Sequence, residues 1–134
     1  MNRNINKLIT KASNGDIESQ YELGVAYAWG EELEQDFSKS RKWYEKAAKK
    51  GHLEAAYNVG TMYLDGQGGK INKELGLKYL DLAAKAEGYD LVALAASKLL
   101  KEIYEFGYFD IKKNDSKLEF YQNIYNEQNL HFEN

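Results

Sequence analysis

The pattern of apolar and polar positions along the chain predicts helices that come in pairs. In the stretch YELGVAYAWG, Leu23 and Tyr27 are four residues apart and therefore share one helix face. After a polar loop, Trp43, Ala47 and Ala48 form the apolar stripe of a second helix. An isolated pair of helices cannot bury such a face, so the pattern predicts that neighbouring pairs stack on one another.

The same pattern recurs along the chain. A shift of 36 residues places residues 21–30 (YELGVAYAWG) on residues 57–66 (YNVGTMYLDG), and Trp43 on Tyr79. A third, weaker copy follows residue 88. This agreement indicates an internal repeat. We predict an all-α chain of seven helices, made of three helical pairs and an N-terminal capping helix over residues 4–13. The absence of proline is consistent with unbroken helices.

Glycines recur at two positions of the repeat. Gly24 and Gly60 fall in the middle of a predicted helix, where glycine costs about 1 kcal/mol relative to alanine. That cost is understandable if a neighbouring helix approaches closely at these positions. Gly30, Gly66 and Gly107 are expected to end the first helix of each unit, because glycine readily follows a helix C-terminus.

The first unit carries Tyr-x-Leu-Gly-x-x-Tyr-x-x-Gly, and later Trp-Tyr-x-Lys-Ala-Ala-x-x-Gly-His. With this pattern it resembles the Sel-1-like repeat, a relative of the tetratricopeptide repeat. Glu32 and Ser40 replace the usual glycine and alanine. The second unit departs at residues 72, 75 and 76, where Gly76 replaces alanine, and the third has Lys101 in place of the mid-helix glycine. The resemblance implies an α/α superhelical solenoid of about three helical-hairpin repeats that binds proteins and catalyses no reaction.

We expect a single domain over residues 1–134, with a cap (1–14), repeat 1 (15–50), repeat 2 (51–87) and a divergent repeat 3 with a C-terminal cap (88–134). No cysteine is present, which excludes disulfides and thiolate metal sites. The N-terminus lacks the apolar core of a secretory signal, and Lys98 interrupts the longest apolar run, residues 91–100. A soluble, cytoplasmic monomer is therefore the expectation.

The sequence shows few features of a catalytic, phosphate-binding or metal-binding site. His52 and His131 have no partner at metal-ligand spacing. The stretch GQGGK (residues 66–70) follows a helix and lacks the ending of a phosphate-binding loop. The acidic run over residues 31–36 lacks the spacing of a calcium loop. We predict no enzyme activity, no cofactor and no metal site.

Charge is sorted by helix, although the net charge is only −3. Residues 14–37 carry seven acidic residues and no lysine or arginine, whereas residues 38–51 carry six basic residues and only Glu45. In repeats of the resembled family, the first helices line one side of the superhelix, usually the concave one. The resemblance therefore implies an acidic inner surface and a largely basic outer surface. The alternative is that these charges simply solvate helix faces.

Two aromatic residues, Trp29 and Phe106, precede a helix-ending glycine and are expected to lie outside the buried stripe. Exposed aromatics are enriched at binding hot spots. Alternatively, Trp29 folds over the acidic loop and Phe106 packs on the C-terminal helix with Tyr108 or Phe109. The other aromatics at repeat spacing are predicted to be core: Tyr21, Tyr27, Trp43, Tyr57, Tyr63 and Tyr79. The predicted partner-binding set is Glu18, Glu22, Val25, Trp29, Glu54, Asn58, Thr61, Asp65, Lys98, Glu102 and Phe106.

Three functional hypotheses follow. The first is a module whose acidic concave face binds a basic protein, most specifically a bacterial immunity protein that neutralises a toxin. The second is a general adaptor or scaffold of a regulatory or envelope pathway, which would bind several partners modestly. The third uses the outer lysines around Lys42 and Lys46 to hold nucleic acid or an anionic membrane. That stretch lacks the stacking platforms that single-stranded nucleic acid requires, so nucleic acid and membrane are not expected partners.

Overall fold

The computed structural model describes residues 4–133, and this part of the chain forms seven α-helices and no strand. The helices are α1 (Ile5–Ser13), α2 (Ile17–Trp29), α3 (Phe37–Lys49), α4 (Leu53–Asp65), α5 (Lys73–Ala84), α6 (Leu91–Phe106) and α7 (Asp115–Glu133), with one 3₁₀ turn at Tyr108–Asp110. After α1, consecutive helices form the pairs α2/α3, α4/α5 and α6/α7, and each pair packs on the next. The predicted all-α repeat architecture is confirmed. Residues 1–3 and 134 of the predicted domain lie outside the described residues, and the proposed repeat boundaries remain a prediction.

Local signals set the helix ends. Asp16, Asp36 and Asn72 each cap a helix N-terminus, because the side-chain oxygen accepts a hydrogen bond from an amide of the first turn. The first helix of each pair ends at a glycine in the left-handed conformation, with φ of 68°, 80° and 77° at residues 30, 66 and 107. This confirms the predicted helix ends.

The mid-helix glycines permit close contacts between paired helices. A Cβ atom on Gly24 would lie 2.6 Å from the ring of Tyr44. A Cβ atom on Gly60 would lie 3.0 Å from the carbonyl oxygen of Gly76 and 3.0 Å from Cγ of Leu80. The distance at Gly24 is shorter than Cβ atoms essentially ever show, and those at Gly60 are unusually tight, so glycine favours the close approach of α2 to α3 and of α4 to α5.

The prediction of a uniformly buried set of repeat aromatics is only partly correct. Tyr63 and Tyr79 are buried, with 8% and 3% of their surface exposed. The other four are half-buried: Tyr21, Tyr27, Trp43 and Tyr57. Tyrosine combines an apolar ring with a hydroxyl that requires a polar partner, so it suits the edge of an interface. In α3 the fully packed aromatic is Tyr44, the neighbour of Trp43.

Two charged residues of α3 face the interior, so they do not contribute to the basic outer surface that the sequence predicted. The carboxylate of Glu45 accepts hydrogen bonds from the hydroxyls of Tyr63 (2.7 Å) and Tyr79 (2.8 Å). The Arg41 guanidinium lies 3.8 Å from the centre of the Tyr63 ring. The outer surface of α3 is therefore basic through its lysines alone. Glu45 connects α3 to both helices of the following pair.

Candidate functional site

The first helices of the three pairs contribute to one shared surface. A depression of about 250 Å³ is lined by residues of all three helices. We call it the central depression, and the exposed side of α2, α4 and α6 the first-helix surface. Tyr21 lines the central depression from α2, Glu54, Tyr57 and Asn58 line it from α4, and Leu91, Val92 and Ala95 line it from α6.

Hydrogen bonds and ring stacking hold the polar side of the central depression. The Tyr21 hydroxyl donates to Oε2 of Glu54 (3.0 Å), and the Tyr21 ring stacks on His52 with centroids 4.3 Å apart. Burial, followed by the hydrogen bond to Glu54, raises the pKa of Tyr21 to about 12. Burial raises the pKa of Tyr57 as well, and the negative charge of Glu102 adds to the effect. Both tyrosines therefore remain neutral beside carboxylates, and Tyr21 donates to one of them.

A second depression, of about 420 Å³, lies beside Trp29 between α2 and α4. Trp29 is 71% exposed, so most of its ring is uncovered. Asn58 and Thr61 contribute from α4, and Gln67 contributes from the following loop. This arrangement places an exposed tryptophan, a residue type enriched at protein-binding hot spots, beside hydrogen-bonding side chains.

A third depression, of about 410 Å³, lies at the N-terminal end of the chain. Glu18 and Glu22 of α2 line it together with Lys7 and Lys11 of α1. The negative charge of α2 is therefore partly balanced where the capping helix meets it. A count taken helix by helix could not detect this balance, because the lysines belong to another segment.

Comparison with known proteins identifies the repeat. The Sel1 repeat family profile matches residues 17–52 and 53–87, which together are more than half of the chain. The chain belongs to the Sel1 repeat family. Sel1 repeats generally act as protein-interaction modules, so a protein partner in general follows for this Sel1 repeat protein.

Several proteins resemble this Sel1 repeat protein over most of its length. Chitin synthase regulatory factor 3 of Schizosaccharomyces pombe is 35% identical over 95 residues, which are 70% of this chain and 10% of that protein. A protective antigen of uropathogenic Escherichia coli strains with an SLR fold has a TM-score of 0.78 and 27% identity, over 92% of this chain and 25% of that one. A Sel1 repeat protein from Oxalobacter formigenes has a TM-score of 0.78 and 24% identity, over 90% of this chain and 47% of that one. The chain thus spans between a tenth and about half of these proteins.

The remaining predicted binding residues of the Sel1 repeat protein are spread along the helices. Val25 is half-buried and packs against the core. Asp65 is exposed and accepts a hydrogen bond from the Gln67 amide (2.9 Å). Phe106 is 53% exposed, and its ring centre lies 5.5 Å from that of Tyr108. The predicted set therefore lies at three depressions and their surroundings, and its role in binding remains a prediction.

Sequence reasoning missed most of the central depression. Tyr21 and Tyr57 have a visible signal, since they recur at the repeat spacing, but that spacing predicts core positions. Leu91 has a weaker one, because it begins the longest apolar run of the sequence, residues 91–100. Predicted residues Lys98 and Glu102 lie further along the same helix, α6, with Lys98 exposed and Glu102 half-buried.

Clusters of metal-ligating side chains and membrane-spanning helices are absent from the residues that the structure describes. Over residues 4–133, no three or more histidine, cysteine, aspartate or glutamate side chains are grouped so that they could hold a metal ion. Within the same residues, no helix combines the length and the apolarity needed to cross a membrane.

Proposed function

We propose that this Sel1 repeat protein binds a basic protein through the first-helix surface. The observation that carries the proposal is the clustering of carboxylates around partly exposed aromatics. Glu54 is bonded to Tyr21, Glu102 lies close enough to Tyr57 to raise its pKa, and Trp29 is largely uncovered. Carboxylates attract a basic partner and speed its encounter, whereas aromatics supply contact area once it has docked.

The most specific form of this proposal is a bacterial, cytoplasmic immunity protein that neutralises a toxin. Toxins that attack nucleic acid carry basic surfaces, so an acidic partner could cover the surface that binds the substrate. The charge sorting by helix and the lack of catalytic motifs in the sequence support this form. An immunity protein should bind one toxin very tightly, and as a one-to-one complex of two monomers.

A regulatory adaptor is the second candidate. The observation that favours it is the likeness to chitin synthase regulatory factor 3, a protein whose name describes regulation. An adaptor would bind several partners with modest affinity. Buried interface area alone would not make that binding tight.

Affinity capture from the lysate of the source organism tests the proposal. The bait is the wild-type protein beside a surface variant, Trp29→Ala/Glu54→Lys/Asp65→Lys. A matched control, Phe120→Ala/Glu119→Lys/Glu127→Lys, changes one exposed aromatic and two exposed acids on α7. We expect a basic protein that the wild type and the control capture equally and the surface variant does not.

Equal capture by all three baits would refute the first-helix surface as the binding site. The two forms of the proposal differ in what is captured. One basic protein bound with nanomolar or lower Kd, whose toxicity is suppressed by co-expression of this chain, supports the immunity form. Several partners with micromolar Kd support the adaptor.

A further inference from the structure

We infer that the central depression binds an arginine side chain of the partner, an inference that rests on the proposed function. The size of the depression suits a single side chain of the partner. The depression measures about 250 Å³, which is smaller than the ~300–1,000 Å³ of sites that enclose a whole small molecule. It is lined by residues of all three first helices, so a partner lying along the first-helix surface would pass over it.

The walls of the central depression suit the apolar stem of a long side chain. Val92 is half-buried, and Leu91 and Ala95 are exposed beside it on α6. Leu91 is 66% exposed, which leaves an apolar side chain without cover. Tyr21 of α2 and Tyr57 of α4 line the same depression. Arginine buries its methylene groups along such apolar surface and keeps its charged end at a polar group.

The polar end of the depression suits a guanidinium group. The Glu54 carboxylate is exposed and held by the Tyr21 hydroxyl, so its orientation is set before a ligand arrives. Asn58 adds an amide oxygen as a further acceptor. A guanidinium group forms paired hydrogen bonds with a carboxylate and stacks on aromatic rings, whereas a lysine ammonium is a point charge without a flat face. The depression therefore favours arginine over lysine.

Neither lysine of α6, Lys98 or Lys101, lines the central depression. The Lys101 ammonium lies 5.2 Å from the centre of the Tyr125 ring of α7 and so points toward the C-terminal helix. Lys98 is exposed one turn beyond Ala95. Its charge opposes an incoming guanidinium from the edge of the site. Removal of that charge should strengthen arginine binding by about twofold, because two charges that interact through water repel each other only weakly.

The test is an NMR titration of the full-length, ¹⁵N-labelled protein with N-acetyl-arginine amide. N-acetyl-citrulline amide is the matched probe, because it has nearly the same shape and no charge. We expect saturable shifts with a millimolar Kd, centred on the amides of Tyr57, Leu91, Val92 and Ala95. Citrulline should bind at least tenfold more weakly. An equal response to both probes, or no saturation by 50 mM arginine amide, would overturn the inference.

Three variants sharpen the test. Glu54→Gln keeps an acceptor for Tyr21 and should weaken arginine binding at least fivefold. Glu119→Gln, on the exposed side of α7, removes the same charge far along the chain and should leave the Kd unchanged. Lys98→Gln should strengthen binding about twofold. If Glu119→Gln weakened binding as much as Glu54→Gln, the net charge alone would explain the affinity and the inference would fail.

The inference and the proposed function fail in different ways. Suppose that the surface variant loses a basic partner in the capture experiment, yet arginine amide does not bind. The first-helix surface would then stand as the interface, and the arginine site would fall. Suppose instead that arginine amide binds in the depression, but all three baits capture the same proteins. The proposed function would then fail, although the depression would still recognise guanidinium groups.

Discussion

Replacement of Gly76 by alanine should destabilise this protein, although alanine is the residue expected from the repeat pattern. Gly76 on α5 faces Leu64 on α4 in the second unit. At the repeat spacing of 36 residues, the corresponding residues of the first unit are Ser40 and Ala28. Leu64 is 2% exposed and fills the space in front of Gly76. A Cβ atom there would lie 2.6 Å from Cδ2 of Leu64. The large side chain on α4 therefore requires the small one on α5.

The magnitude follows from two opposing effects of Gly76→Ala. Alanine favours the helix by up to about 1 kcal/mol relative to glycine. Overpacking costs about 1–3 kcal/mol, and the new Cβ would also lie 2.9 Å from the carbonyl oxygen of Gly60, which cannot rotate away. We therefore expect a net loss of about 1 kcal/mol and a fall in Tm of about 4 °C.

A double-mutant cycle isolates the contact between the two side chains. Leu64→Ala alone should cost about 2–5 kcal/mol, because it opens a cavity in the core. In that background Gly76→Ala should become neutral or stabilising, since the clash with Leu64 is gone and only the helix preference and the filled space remain. The coupling energy between the two changes should therefore be about 1 kcal/mol or more.

Urea unfolding followed by far-ultraviolet circular dichroism measures all four proteins of the cycle. The free energy of unfolding comes from the midpoint and the slope of each curve. Suppose that Gly76→Ala stabilised the wild type by about 1 kcal/mol, with the same effect in the Leu64→Ala background. Helix preference alone would then account for the data, and the argument from the close approach would be refuted.

Three further predictions concern stability. Burial, with the hydrogen bond to a carboxylate, raises the pKa values of Tyr79 and Tyr121, so the native protein retains protons that the unfolded chain loses above pH 10. The free energy of unfolding should therefore fall as pH rises through 10–12. Tyr79→Phe should flatten that fall, and an unchanged slope would contradict the reasoning. Asp90→Ala should lower stability by about 1 kcal/mol, because the Asp90 carboxylate caps two amides of α6, and an unchanged urea midpoint would contradict the cap. Ser40→Ala should cost about 1 kcal/mol in the same assay, since the buried hydroxyl donates to the Gly24 carbonyl (2.7 Å); no loss would mean that this bond contributes nothing net.

The repeat and its helices could be predicted because their signals are local. Capping residues such as Asp16 and glycines such as Gly30 act on the backbone within one turn, so they can be read from the sequence directly. The recurrence at 36 residues then implied that each helical pair packs on the next. The close approach at Gly24 was also predictable, because a glycine inside a helix is costly unless a neighbour requires the space.

The composition of the surfaces was less predictable, because it depends on which segments meet. The sequence by itself determined the helical pairs, their order and the excess of acidic residues on α2 and α4. Only the tertiary structure decided that Arg41 and Glu45 face the interior, and that the lysines of α1 lie beside the acids of α2. It also decided that Leu91 meets Tyr21 in one depression. The physical reason is that helix formation depends on neighbours within a few residues, whereas a binding surface is assembled from side chains tens of residues apart.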